Sequence, residues 1–150
     1  MPAGPALDAI NVGGLVHRVL AQCLPGRVSE RDIASEVWRQ LQRCGTRNPA
    51  MRNRATLLCR RYVDRFHPGP SATLVGTEMT VANVRFDAVW RTGHGVWADE
   101  IKTGPHAPAG QLHRQLLVGH ERWGDAFLGV RVLLLGSPAA SSFVRRERTR

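Results

Sequence analysis

Val84-Arg85-Phe86-Asp87-Ala88-Val89-Trp90 and Val96-Trp97-Ala98-Asp99-Glu100-Ile101-Lys102 are the two segments that decide the fold. Residue types in both alternate with the period of two that marks a strand, and Thr92-Gly93-His94-Gly95 between them supplies a turn, so the pair reads as a hairpin. Along the second segment Ala98, Glu100 and Lys102 share one face while Trp97, Asp99 and Ile101 share the other. A hairpin folded about Gly93 lets Asp87 converge on the face of Glu100 and Lys102. Two carboxylates suit a hard divalent cation, Mg²⁺ or Mn²⁺, and an amine beside them can position or help deprotonate an attacking water. Lys102 is the only lysine in the chain, against 20 arginines. Arginine replaces lysine on a solvated surface but not where a compact point charge is needed. The competing reading is an exposed hairpin whose Glu-x-Lys and cross-strand Asp form ordinary ion pairs.

Working outward, Thr73-Leu74-Val75-Gly76 begins an earlier strand, with Glu78 near its end read as structural or as a support of the acidic site. Upstream, three helices are expected. The first runs from Leu7 to about Cys23, with Gly13-Gly14 as a weak point. The second follows a Ser29 cap with Asp32 three residues on, and continues through Ile33, Val37 and Leu41. The third runs from near Pro49 to Phe66 and is stopped by His67-Pro68-Gly69-Pro70. Downstream of the proline-rich break from Pro105 to Gly110, Gln111 to Trp123 reads as a helix. Gly129 to Leu135 is a buried strand, and Ser142-Phe143-Val144 adds a further one.

At 150 residues the chain fits one domain, expected at 7–144 with a helical part at 7–66 and a sheet-containing core at 72–144. Residues 1–6 read as a disordered start and 145–150 as a basic tail. A net charge of +9 and a pI near 11.3 tilt the partner towards a polyanion such as DNA. No apolar run is long enough for a membrane span, and the N-terminus lacks a signal-peptide pattern, so a cytoplasmic location is expected. Cys23, Cys44 and Cys59 are too scattered for a zinc or disulfide framework. A protein partner or homo-oligomer is compatible with all of this.

Asp87, twelve intervening residues and then Glu100-Ile101-Lys102-Thr103-Gly104 on a hairpin resemble the PD-(D/E)xK nuclease superfamily, and within it the RecB-like branch. Gly14-Leu15-Val16-His17-Arg18 on the first helix is similar to that branch's glycine-to-histidine motif. The helix carrying Gln111 and Gln115 stands where the branch has a glutamine-bearing helix. The resemblance implies an α/β fold with a restriction-endonuclease-like core: helix, three-stranded antiparallel or mixed sheet, helix, strand, preceded here by extra N-terminal helices. It implies a metal-dependent deoxyribonuclease in which His17, Asp87, Glu100 and the backbone carbonyl of Ile101 bind Mg²⁺ or Mn²⁺. Asp87, Glu100 and Lys102 are then catalytic, and Gln115 and Gln111 contact substrate or brace the site. The chain departs from the pattern in having Phe86 rather than proline before Asp87. Where the family often reads Q-x-x-x-Y, Gln115 is followed by Gly119 and Gln111 by Gln115.

Two other classes stay open from the sequence. One is a non-catalytic DNA-binding module that uses the helix from Ser29 to Cys44 as a groove reader, with Arg52, Arg54, Arg60, Arg61 and Arg65 along a phosphate track. The other is an inactive nuclease fold kept as a component of a larger complex.

Overall fold

Asn11 accepts a hydrogen bond from the Gly14 amide through its side chain and so fixes the start of the first helix, α1 (Val12–Cys23), in the computed structural model. The structure describes residues 11–104 and 109–145. The stretches read as a disordered start (1–6), as the opening of the first helix (7–10), as most of the proline-rich break (105–108) and as most of the basic tail (146–150) lie outside the described residues. The cap at Asn11 corrects the expected start at Leu7, because an N-cap has extended backbone and cannot lie inside a helix.

Helix α2 (Glu30–Arg43) begins with a reciprocal capping box: Ser29 Oγ accepts from the Asp32 amide, and Asp32 Oδ2 accepts from the Ser29 amide at 3.1 Å. Asn48 caps α3 (Pro49–Arg65), which carries its proline at the first turn, where no amide bond is lost. The remaining elements are β1 (Thr73–Val81), β2 (Val84–Thr92), β3 (Gly95–Lys102), α4 (Ala109–Trp123), β4 (Phe127–Leu134) and the short β5 (Ser142–Val144). They form a mixed five-stranded sheet in the order β1-β2-β3-β4-β5. Only the β3–β4 pair is parallel, as the α4 crossover between them requires. The fold is therefore α/β: three helices, then a sheet interrupted by one helix. The expected order of helix, three strands, helix and strand stands, and the further strand expected at Ser142-Phe143-Val144 is β5.

β1 runs to Val81, three residues past Glu78, and a two-residue turn, Ala82-Asn83, returns the chain into β2. Both turn residues have positive φ, 47° and 62°, as a type I′ hairpin demands. Without glycine at either position, the turn carries no strong signal in the sequence.

Two apolar clusters sandwich the sheet. Leu15, Val19, Leu58 and Tyr62 of the N-terminal helices pack on Trp90, Ile101 and Leu133. On the other face Leu112 and Leu116 of α4 cover Phe86, Val89, Ala98 and Val130. Each fully buried side chain of this size contributes roughly 1.5–3 kcal/mol. Among the described residues no helix is long and apolar enough to cross a membrane.

Candidate metal centre

Gly13 and His17 lie one helical turn apart on α1, so they share a face. A Cβ at Gly13 would stand 3.0 Å from Thr103 Oγ1, so the absence of a side chain lets α1 settle against the end of the Lys102 strand. His17 is thereby brought onto the sheet, with its Nδ1 3.2 Å from Asp87 Oδ1 and 3.7 Å from Glu78 Oε1. Ligand atoms of these three residues all lie within 4.8 Å of one another, the one such group of three among the described residues. His17 Nδ1 is buried within ion-pair distance of both carboxylates, without the alignment of a full hydrogen bond to either. Burial alone would lower the His17 pKa, but Asp87 and then Glu78 outweigh it and raise the pKa above the ordinary value. The two carboxylates thus draw positive charge into the cluster.

Glu78, read from the sequence as structural or as a support of the acidic site, is a member of this group. Its backbone sits at φ 48° in the middle of a strand, a left-handed conformation that costs a non-glycine residue about 1–2 kcal/mol. Thr77 pairs with Ala88 and Met79 with Phe86, which sets Glu78 opposite Asp87. Reading the Ala82-Asn83 turn would have disclosed that pairing. Arg85, also passed over in the sequence, places its guanidinium 3.4 Å from Glu78 and 3.7 Å from Asp87 while remaining more than half exposed.

Asp87 links this group to the β3 residues. Phe86 and Val89 pack on the α4 side while Ala88 and Trp90 pack under the N-terminal helices, so strict alternation fails around Asp87. The last β2–β3 pair is Ala88 with Asp99, and beyond it Asp87 Oδ2 accepts a hydrogen bond from the Ile101 amide at 2.7 Å. It is through its backbone amide that Ile101 meets Asp87.

Glu100 stays outside the group of three. Its carboxylate accepts from Gln115 Nε2 at 2.6 Å and from Gln111 Nε2 at 2.9 Å, and lies 2.8 Å from Lys102 Nζ. Lys102 also donates to Gln111 Oε1 at 3.3 Å, and Gln115 donates to the Arg85 carbonyl at 3.1 Å. The fully buried Gln115 therefore ties α4 to both strands of the site. Gly119 makes this approach feasible, since a Cβ there would come within 2.3 Å of the Phe127 ring.

Asp99, next to Glu100, faces the other way. It is fully buried and accepts from Tyr62 Oη at 2.6 Å and from Arg131 Nε and Nη2 at 2.7 and 2.8 Å. Burial first, then Asp99, holds the Tyr62 hydroxyl well above its ordinary pKa, so it stays a donor. This network anchors α3 to the sheet.

One imidazole nitrogen and two carboxylates form a donor set suited to a divalent cation, and the imidazole favours Mn²⁺ over Mg²⁺. The buried, unbonded His17 Nδ1 is the atom such a cation would satisfy. Comparison with models of protein families and with curated proteins finds no match to this chain.

Proposed function

We propose that the chain is a metal-dependent DNA nuclease that hydrolyses phosphodiester bonds. The observation that supports this reading is the unbonded His17 Nδ1 held between Asp87 and Glu78, with Asp87 joined through the Ile101 amide to the strand that carries Glu100 and Lys102. His17, Glu78 and Asp87 hold the cation, and Glu100 extends the acidic surface on the neighbouring strand. A bound divalent cation supplies charge stabilisation to a phosphate oxygen and lowers the pKa of a water. Lys102, whose ammonium is the compact charge at this place, orients the attacking water from its position beside Glu100. Gln111 and Gln115 hold the Glu100 carboxylate and so limit where Lys102 Nζ can sit.

Incubation of linear and circular DNA with Mg²⁺, Mn²⁺ or chelator tests the reading. Cleavage is expected with either metal, to be stronger with Mn²⁺, and to stop with chelator. Lys102→Ala is expected to keep the fold and metal binding but to lose cleavage by at least about 100-fold, the scale of one positioned acid–base group. Undiminished cleavage by Lys102→Ala refutes the assigned mechanism.

A further inference from the structure

Helix α2 packs its apolar face, Ile33, Val37 and Leu41, against α1 and α3 and makes no substantial contact with the sheet. Its outer face carries Trp38, 53% exposed, where burial would be the default for so large an aromatic ring. Leu57 of α3 is exposed beside it. Three open clefts of about 380, 420 and 580 Å³ surround this tryptophan, and all have it in their walls.

The rest of the lining is one-sided in charge. Arg39, Arg47, Arg52 and Arg60 contribute to it, together with amide side chains such as Gln42 and Asn53, and among the described residues no carboxylate does. Arg39 and Arg60 are paired with Glu36 and Glu30 outside the clefts. No ion pair among the described residues engages Arg47 or Arg52. A second copy of the chain would set arginine against arginine. An unpaired nucleotide strand meets the surface on every count: a base face for the indole, base edges for the amides and phosphates for the arginines. A duplex hides its base faces and has nothing to stack on an indole.

We infer that the Trp38 face of α2 and α3 is a binding surface for single-stranded DNA, with a base stacked on Trp38 and the flanking phosphates held by Arg47 and Arg52. The choice of DNA over other polyanions rests on the nuclease reading, but the surface is separate from the metal centre and its test needs no metal.

The test is binding of fluorescently labelled oligo-dT in the presence of chelator, with a duplex and oligo-rU as comparisons. Oligo-dT is expected to bind best and to quench the exposed Trp38 emission. Trp38→Ala is expected to weaken binding roughly 5- to 100-fold, and Trp38→Phe less, because a smaller ring still stacks. Arg52→Gln should flatten the slope of log affinity against log salt by about 0.7. Unchanged affinity in Trp38→Ala overturns the inference, as does equal or tighter binding of the duplex or of oligo-rU. Each variant is compared with the wild type by circular dichroism and thermal unfolding in chelator, so a folding defect is not mistaken for a lost contact. Binding through Trp38 without any cleavage sinks the nuclease reading alone. Cleavage with binding indifferent to Trp38 sinks this inference alone.

Discussion

Replacing Asp87 by asparagine and, separately, by alanine splits its two jobs. Its Oδ2 accepts the Ile101 amide, and its Oδ1 faces His17 and Arg85. Asparagine keeps an acceptor for the amide and removes the charge, and its new amide donor can point at Glu78 or at the unbonded His17 nitrogen. Alanine leaves a buried amide without a partner, a loss of about 1–3 kcal/mol. For a chain of this size that lowers Tm by roughly 2–12 °C, whereas Asp87→Asn should stay within about 2 °C of wild type. A divalent cation at 100 times its Kd adds about 2.7 kcal/mol of stability, hence a rise of roughly 5–11 °C in the wild type. Both variants should lose that rise. The assay is thermal unfolding followed by circular dichroism across a Mn²⁺ titration, with chelator as baseline. If Asp87→Asn keeps the full metal-dependent rise, Asp87 is not a ligand. If it falls as far as Asp87→Ala in chelator, the Ile101 bond does not carry the stability assigned to it.

Arg131→Met strips both guanidinium bonds from a fully buried Asp99; because Arg131 is itself partly exposed, the cost is at the low end of the range for a broken buried pair, about 3 kcal/mol, read by urea unfolding. Its metal-induced thermal shift should persist, since neither Asp99 nor Arg131 belongs to the His17, Glu78 and Asp87 group. Gly119→Ala gains about 1 kcal/mol of helix propensity but drives a methyl into the Phe127 ring, so a net loss of about 1–2 kcal/mol is expected in thermal melts, with weakened cleavage as Gln115 shifts. The Asp32 pKa is lowered first by the Ser29 hydroxyl and then by the Ser29 amide. Its contribution is therefore complete above the ordinary carboxylate pKa and disappears as pH falls through the lowered folded value. The Tm gap between wild type and Ser29→Ala should accordingly be widest near neutrality and narrow in acid; a gap independent of pH contradicts the capping box.

Elements with strong periodicity or explicit caps were legible in the sequence. The Ser29–Asp32 box, the Pro49 start of α3 and the β2–β3 hairpin about Gly93 all stand where local chemistry puts them. What escaped depends on contacts made after folding. The Ala82-Asn83 turn has no glycine to announce it, so the full length of β1 and the pairing of Glu78 with Asp87 could not be read. Alternation predicts that Asp87 shares the face of Glu100, but the β2–β3 ladder ends at Ala88–Asp99, and Asp87 turns its other oxygen to His17. A period-two rule cannot foresee where a ladder opens. Arg85 carries no motif in the sequence, and only the folded pairing of β1 with β2 makes it a counter-charge to both acids.

The two features that looked like faults in the sequence have a common physical explanation. Gly13 and Gly119 each weaken a helix by about 1 kcal/mol relative to alanine. Each lies one turn from the residue its helix delivers: Gly13 precedes His17 by four, and Gly119 follows Gln115 by four. A Cβ at Gly119 would collide with the Phe127 ring of β4, and one at Gly13 would press to 3.0 Å from Thr103 Oγ1. The lost propensity thus coincides with close helix–sheet approach at the two places where a helix must reach a carboxylate of the site. At Gly119 the Phe127 ring occupies the space a larger side chain would need, and one turn earlier Gln115 is seated on Glu100.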